Sequence, residues 1–283
     1  MPNDGVAVGV ADGVADSVVR VLFIADIYAK EGRKAVWKRL PYYLEEKEVT
    51  LVVANGENIA GGFGLTDNLA EKLLRYGVDV ITSGNHIWDR KDDIVSSLEE
   101  RGVILRPANC PPMVPGHGSI VTNDRNGNLI GIINIQGRVF MPSLLDCPFR
   151  KVIEEIEKLK ESTNVIIIDF HAEATSEKKA MLYWVVGKVS ALIGTHTHIQ
   201  TADETILPEG TAYITDAGMT GVVDSVIGVK HECAVEHFVT TLKVRFEPAK
   251  GTPHFCGVLI DISTETGKAL SIERICEFVP LED

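Results

Sequence analysis

The sequence VIIIDFHAEATSEKKAMLYWVVGKVSALIGTHTH, residues 165–198, places two apolar runs on either side of a helical segment. The runs at 165–170 and 189–193 are rich in β-branched residues and are typical of buried strands. Residues 177–186 between them have the length and composition of a helix. Strand, helix and strand in this order favour parallel strands in an α/β fold. Polar residues directly follow both strands, at the end where α/β sheets bind ligands.

The N-terminal half repeats this alternation. Apolar runs at 18–25, 50–54, 78–83 and 102–105 predict four strands, with amphipathic helical segments between the first three and after the third. Polar residues follow the first three of these strands and both strands of the 165–198 segment. Five polar strand ends therefore recur along the chain, which suggests that they meet at a single edge of the fold.

Other segments predict antiparallel pairing. Asn126-Gly127 between residues 119–121 and 129–135 is a strong hairpin signal. The tail offers two more antiparallel candidates, residues 239–246 and 255–262. The prediction is therefore an α/β protein in which at least part of the sheet is antiparallel.

Composition excludes several classes of function. The 283 residues carry a net charge of -12, which makes the chain a poor candidate for binding duplex nucleic acid. No apolar run reaches the roughly 18 residues that a membrane span needs, so no membrane partner is expected. Five widely spaced cysteines predict reduced thiols and a cytoplasmic location. Residues 1–19 are predicted to be a flexible extension, and residues 20–283 one domain.

Potential metal ligands follow the predicted strands. Carboxylates, amides and imidazoles together suit iron, manganese, zinc or nickel, and they are too numerous for one tetrahedral ion. In an extended segment, residues i and i+2 point the same way, so both rings of His196 and His198 are expected in one cavity. Each residue alone could instead cap a helix or stabilise a loop. The candidates are Asp26, Glu57, Asn58, Asn85, His86, His171, His196 and His198.

Short motifs around these residues resemble a known family. Gly84-Asn85-His86 and Gly194-Thr195-His196-Thr197-His198 resemble signatures of the calcineurin-like metallophosphoesterases. The longer strings at 55–58 (NGEN), 169–178 (DFHAEATSEK) and 215–221 (TDAGMTG) resemble the bacterial YmdB-like branch, with similarity from about residue 21 to 275.

The resemblance implies a four-layer αββα sandwich of two mixed β-sheets flanked by helices, together with a centre of two metal ions. Iron or manganese is expected, with zinc as a third option. One ion would be held by Asp26, Glu57, Asn58 and His198. The other would be held by Glu57, Asn85, His171 and His196. Glu57 would bridge the ions, and His86 would stand beside them as an acid.

The sequence also departs from the wider pattern. Tyr28 stands where the superfamily has a histidine, and Glu57 where it has an aspartate, both as in the YmdB-like branch. That branch leads us to expect glycine at Ala25 and near Ala29, and proline near Glu31. These changes border the predicted site without touching a ligand, so they affect substrate fit more than metal binding.

The expected activity is metal-dependent hydrolysis of cyclic nucleotides, 2′,3′-cyclic monophosphates first and 3′,5′-cyclic AMP second. A metal-bound hydroxide would attack phosphorus, and His86 would protonate the leaving oxygen. A phosphomonoesterase or nucleotidase, and a metal-bound signalling scaffold with vestigial catalysis, are the alternatives. The expected partner is a small phosphorylated substrate, and the resemblance also implies a homo-oligomer.

Two further groups of residues have undecided roles. Lys30 and Arg33 could contact the substrate phosphate or could simply be solvated. Phe140, Met141 and Trp88 could form the wall of a base pocket or pack in the core.

Overall fold

The computed structural model describes residues 18–280. The strands are β1 (Val18–Ile24), β2 (Asp26–Ile27), β3 (Leu51–Asn55), β4 (Val80–Thr82), β5 (Ser119–Asn123), β6 (Leu129–Gln136), β7 (Ile166–His171), β8 (Ala191–Thr195), β9 (Thr205–Ile206), β10 (Ala212–Ile214), β11 (Met219–Val222), β12 (Pro253–Ser263) and β13 (Ala269–Phe278). The helices are α1 (Ala29–Glu45), α2 (Asp67–Tyr76), α3 (Lys91–Glu100), α4 (Pro148–Lys160), α5 (Thr175–Val185) and α6 (His231–Thr240). The predicted extension, residues 1–19, lies outside the described residues except for its last two, which begin β1.

The strands form two mixed sheets. The first has the order β2-β11-β12-β1-β3-β4, with β13 paired to β12. Within it, β1, β3 and β4 run parallel, whereas β12 is antiparallel to its neighbours. The second has the order β5-β6-β7-β8-β10-β9, with a parallel centre and antiparallel edge strands.

Three apolar layers show how the sheets and helices are stacked. Phe23 of the first sheet and Ile167 of the second belong to one buried cluster, so the sheets pack face to face. Helices α1–α3 cover the outer face of the first sheet, where Leu40 is buried. Helices α4 and α5 cover the outer face of the second, where Ile156 and Met181 are buried. The predicted four-layer α/β sandwich is confirmed. No helix within residues 18–280 is long and apolar enough to cross a membrane.

Two strand predictions are wrong. Residues 239–246 alternate like a strand, but α6 extends to Thr240 and the rest of the segment is irregular. The edges of β12 are already occupied, by β1 and β11 on one side and by β13 on the other, so no edge remains for that segment. The predicted strand at 102–105 forms only isolated bridges, at Ile104 and Leu105.

The parallel registers position the site. Ile24 of β1 pairs with Ala54 of β3, so the segments after both strands leave the first sheet at the same edge. In the second sheet, Gln136, His171 and Thr195 align across β6, β7 and β8. The carboxyl ends of the parallel strands of both sheets therefore lie at the site.

Candidate metal centre

Both sheets contribute side chains to one buried centre. Within the first sheet, β2 carries Asp26. The turn after β3 carries Glu57 and Asn58, and the turn after β4 carries Asn85 and His86. The second sheet contributes the end of β7 and the loop after β8. The structure brings together all eight candidates from the sequence: Asp26, Glu57, Asn58, Asn85, His86, His171, His196 and His198.

One group of contacts centres on the imidazole of His171. Its Nε2 lies 3.1 Å from Glu57 Oε1 and 3.1 Å from Asn85 Oδ1. The same nitrogen lies 2.9 Å from Nδ1 of His196. Potential ligand atoms of Glu57, His171 and His196 all lie within 4.8 Å of one another. This compactness is what a shared cation requires of its ligands.

A second group adjoins the first. His198 Nε2 lies 3.3 Å from Asn58 Oδ1 and 3.9 Å from Asp26 Oδ1. The Asn58 amide nitrogen donates to the Gly62 carbonyl at 2.9 Å, which turns the amide oxygen toward His198. Asp26 Oδ1 is also 3.9 Å from His171 Nδ1, so the two groups adjoin.

Two buried carboxylate oxygens in this centre accept no hydrogen bond, Asp26 Oδ1 and Glu57 Oε1. Both residues are fully buried. A buried carboxyl oxygen without a hydrogen-bond donor is costly, and a bound cation would remove that cost. Because Glu57 Oε1 also faces the ring nitrogen of His171, two lone-pair donors converge there. The residues present therefore fit divalent metal ions.

Outer partners fix the orientation of the three imidazoles. The Thr195 hydroxyl donates to Asp169 at 2.7 Å, so it accepts from Nδ1 of His171 at 2.9 Å and leaves Nε2 free. His198 Nδ1 donates to the Ile227 carbonyl at 2.9 Å, which likewise leaves its Nε2 free. Such outer partners set the tautomer of metal-binding histidines.

Glu173 has the corresponding position for the third imidazole. Its carboxylate lies 3.2 Å from Nε2 of His196. A proton held on Nε2 leaves Nδ1 to face His171 and the centre. His196 would therefore bind through the opposite nitrogen from His171 and His198.

The His-x-His segment reaches the centre by a route that the sequence analysis missed. His196 and His198 have φ values of 102° and 64°, so the segment is not extended as predicted. The His196 amide donates to Asp26 at 3.2 Å, and the Thr197 amide donates to Asp216 at 3.1 Å. These carboxylates hold the backbone in the left-handed region, where residues other than glycine are rare.

Burial and mutual charge perturb the pKa values of the centre. Burial raises the pKa of Asp26 well above its usual value. Burial is the largest single effect and acts to raise the pKa of Glu57, but the interactions with His171 and the charges of the neighbouring imidazoles together outweigh it and lower the value to about 2. Against the opposing effect of burial, Glu57 raises the pKa of His171 to about 9. Burial, then the charge of His171, lowers the pKa of His196 to about 3, and burial lowers that of His198. Cations would replace the proton that this cluster shares.

His86 differs from the other candidates in its exposure and contacts. Its side chain is 27% exposed, whereas those of Glu57 and His171 are fully buried. Its Nδ1 lies 2.8 Å from the Asp89 carboxylate, and its amide donates to Glu57 at 3.3 Å. With Nδ1 engaged, Nε2 remains for a molecule in the adjoining cleft, which His86 lines.

Tyr28, at the position where the sequence departs from the wider pattern, packs beside the centre. Its ring packs edge-on against His198, with centroids 5.6 Å apart. Burial raises the pKa of its phenol to about 12, so the oxygen stays neutral. A Cβ on Gly62 or Gly228 would lie only 2.5 or 2.6 Å from this side chain. Two glycines at positive φ therefore make room for the tyrosine.

A cleft of about 350 Å³ opens onto the centre. Its walls combine the metal-ligand candidates with the apolar side chains Phe63, Ile227, Val229 and Phe246.

The three residues considered for a base pocket lie elsewhere. Phe140 is 85% exposed, Met141 is buried, and Trp88 packs against the core beneath α1–α3. None of them lines this cleft. Lys30 and Arg33 line a neighbouring cavity, and the Arg33 guanidinium donates to the Ile59 carbonyl.

The sequence analysis missed the residues that support the centre. Asp169 accepts from Thr195 and Thr82, and the Lys178 ammonium lies 2.7 Å from Asp216 with both side chains buried. Asp169, Lys178 and Asp216 all lie inside the quoted strings DFHAEATSEK and TDAGMTG. A buried lysine is rare unless it is paired, so a lysine among apolar helix positions was the available signal.

A family model and a named relative match most of this chain in sequence. A sequence model of the family described as YmdB-like protein matches residues 22–275. The 2′,3′-cyclic-nucleotide 2′-phosphodiesterase of Bacillus subtilis (strain 168) is 46% identical over 257 residues, 91% of this chain and 96% of that protein.

Two solved structures have the same architecture. A phosphatase from Mycoplasma pneumoniae is 34% identical, with a TM-score of 0.87 over 93% of this chain and 94% of that one. A hypothetical protein from Thermus thermophilus is 38% identical, with a TM-score of 0.84 over 93% of this chain and 100% of that one. The chain belongs to the YmdB-like protein family.

Proposed function

We propose that this protein is a dinuclear metal-dependent phosphodiesterase that hydrolyses 2′,3′-cyclic nucleotides. The observation that supports it most is the pair of buried carboxylate oxygens, on Asp26 and Glu57, that accept no hydrogen bond. They lie among imidazole nitrogens whose opposite ring nitrogens are already engaged. Such a centre is costly to the fold unless cations bind it.

We propose seven ligands for two ions. Asp26, Asn58 and His198 would hold one, and Asn85, His171 and His196 the other. Glu57, between the two groups, would contact both ions. Iron or manganese suits this mixture of oxygen and nitrogen donors best, with zinc as a third option. Bound cations would lower the pKa of a water molecule and offset the negative charge that builds up on the phosphoryl group.

His86 would supply the proton for the leaving oxygen. The Asp89 contact at 2.8 Å fixes its Nδ1, and its ring packs edge-on against Phe63 with centroids 5.1 Å apart. Both contacts restrict the ring, and His86 lines the cleft, so its Nε2 is available there for proton transfer to a substrate. His86 therefore acts on the substrate, whereas the seven other candidates act on the ions.

The cleft supports a small nucleotide as substrate. Its volume of about 350 Å³ is within the usual range for small-molecule sites. Phe63 and Phe246 give it aromatic walls on which a base could stack. The relative at 46% identity bears the name of a 2′,3′-cyclic-nucleotide phosphodiesterase, which favours that substrate class. A 3′,5′-cyclic nucleotide is the second candidate.

Metal analysis paired with a substrate panel tests this proposal. Purified protein should contain, or take up, two equivalents of iron, manganese or zinc. It should hydrolyse 2′,3′-cyclic nucleotides faster than 3′,5′-cyclic nucleotides and faster than nucleoside monophosphates. His198→Gln should weaken the binding of one equivalent, whereas His231→Gln, on the exposed start of α6, should change neither metal content nor rate.

Other outcomes would identify the alternatives. Faster hydrolysis of monoesters would indicate a phosphomonoesterase or nucleotidase. Two bound metals without turnover of any substrate would indicate a signalling scaffold. Protein that takes up no metal would refute the centre itself.

We also propose a cytoplasmic location, which the five free thiols support. The single domain spanning residues 20–283 and the homo-oligomer remain predictions.

A further inference from the structure

Two cysteines and a histidine form a second reactive cluster, on the hairpin of β12 and β13. Cys256 and Cys276 face each other directly in the register of the two strands. Their sulfur atoms are 3.6 Å apart, and the Cys276 sulfur is 3.5 Å from Nδ1 of His254. The proposed phosphodiesterase chemistry uses none of the three residues.

The strand pairing suits a disulfide bond. The Cys256 carbonyl accepts from the Ala25 amide at 3.0 Å, and its amide donates to the Thr220 hydroxyl at 3.0 Å. Both backbone groups therefore point away from β13, which makes Cys256 and Cys276 a pair without mutual backbone hydrogen bonds. Cα atoms in such pairs lie about 4.5 Å apart, within the range of about 4.4–6.8 Å that disulfides span.

The two thiols differ as an attacking and a resolving cysteine should. Cys276 is exposed on an edge strand, whereas Cys256 is buried between the sheets. The hydrogen bond that Cys256 donates, opposed by burial and supported by the contact with His254, lowers the pKa of the Cys276 thiol. The same contact, followed by burial, raises the pKa of the Cys256 thiol. An accessible thiol of low pKa beside a second thiol is the pattern of a redox-sensitive cysteine.

A metal site explains the cluster less well. Within residues 18–280, Glu57, His171 and His196 place three potential ligand atoms within 4.8 Å of one another. Cys256, Cys276 and His254 do not form such a group. Two thiols and one imidazole would also leave a zinc ion short of a fourth protein ligand.

We propose that Cys276 and Cys256 are the site of a reversible disulfide, formed by exchange with a low-molecular-weight disulfide such as oxidised glutathione. The Cys276 thiolate attacks one sulfur of that disulfide and displaces the first glutathione thiolate. Cys256 then attacks the Cys276 sulfur and displaces the second. Both protein thiols are oxidised, oxidised glutathione is reduced to two thiols, and the two protein protons end on these products.

The bond would form next to contacts that support the metal centre. The Gln200 amide donates to the carbonyls of Ile275 at 2.8 Å and Gly257 at 3.3 Å, each adjacent to one of the cysteines. Gln200 itself lies two residues after His198. The hairpin that would be cross-linked is therefore tied directly to the His-x-His loop.

Titration of the full-length protein with mixtures of reduced and oxidised glutathione tests the proposal, with alkylation and peptide mass mapping as the readout. The wild type should lose two alkylatable thiols, yield one cross-linked peptide pair that joins Cys256 to Cys276, and recover both thiols on reduction. Cys256→Ser should accumulate a glutathione adduct on Cys276. Cys276→Ser should form neither product.

Cys233→Ser is the matched control, because this half-buried thiol lies on α6 and not on the β12–β13 hairpin. It should oxidise like the wild type. The proposal fails if wild-type protein keeps both thiols at a large excess of oxidised glutathione, or if the cross-link joins other cysteines. The wild-type map decides this even if a serine variant does not fold.

Discussion

Replacing Lys178 by methionine should destabilise the protein strongly, because this charged side chain is buried and paired. Lys178 and Asp216 are each about 1% exposed, and the ammonium lies 2.7 Å from the carboxylate. Methionine preserves most of the side-chain volume and removes the charge. The substitution therefore tests the buried ion pair and not the packing.

The magnitude follows from what would remain around Asp216. Its carboxylate would still accept hydrogen bonds from the amides of Thr197 at 3.1 Å and Gly218 at 2.9 Å. Breaking a buried pair costs about 3–5 kcal/mol, because the partner charge is left uncompensated. The two remaining donors offset part of this cost, so we expect a loss of about 3 kcal/mol in the free energy of unfolding.

The assay is urea denaturation, which gives the free energy of unfolding of the wild type, of Lys178→Met and of a control variant. Lys179→Met is the matched control, because Lys179 is 47% exposed and lies 3.3 Å from Asp203. An exposed pair of this kind contributes less than about 1 kcal/mol. Adding Asp216→Asn to Lys178→Met should recover part of the loss, since it removes the unpaired charge. Equal effects of the two methionine substitutions would refute the reasoning.

Three further predictions concern the proposed acid, an outer contact of the centre and a strained backbone position. His86→Gln should lower kcat by about 10²–10⁴-fold in steady-state assays while elemental analysis still finds both metals; joint loss of metal and activity would make His86 a ligand. Thr195→Val should weaken metal binding by roughly 10–100-fold in chelator competition, because its hydroxyl holds His171 Nδ1; unchanged affinity would contradict this role. Ala29→Gly should raise the free energy of unfolding, measured in urea, by about 1 kcal/mol, because φ is 51° at Ala29. Ala35→Gly, within α1, is the control and should lower it by a similar amount. A lower free energy of unfolding in both variants would show that the backbone at Ala29 is not strained.

The fold could be predicted where the local pattern and the final pairing agree. The run at 165–170 is apolar on both faces because β7 is buried between a helix layer and the other sheet. Within residues 269–278 only 270–273 alternate between apolar and polar, and the sequence analysis missed β13 there. Residues 242–246 alternate more regularly and form no strand. Which segment pairs with β12 depends on contacts distant in sequence, and a local pattern does not report them.

Local patterns predicted which residue types form the site, whereas the role of each residue followed only from the family resemblance. Asp26 and Asp169 are both buried aspartates at or near the end of a strand, and nothing local distinguishes them. In the fold, the Asp169 carboxylate accepts from Thr82, Thr195 and Asn55, so its oxygens are occupied. One oxygen of Asp26 accepts nothing. The number of donors around each carboxylate separates a supporting residue from a ligand, and that number exists only after folding.

The same distinction explains why the centre weakens the fold that carries it. The Asp26 oxygen that accepts no hydrogen bond costs about 1–3 kcal/mol in desolvation, whereas the His171 imidazole 3.1 Å away offsets part of that cost at Glu57 Oε1. A cation that binds only the folded chain, at a free concentration of a hundred times its Kd, would stabilise the fold by about 2.7 kcal/mol. Supporting contacts such as the Lys178–Asp216 pair satisfy neighbouring charges without occupying Asp26 Oδ1. A metal centre needs a stable surrounding fold together with ligand atoms that accept no hydrogen bond. Donors that satisfied those oxygens would strengthen the fold but would occupy the atoms that the ions need.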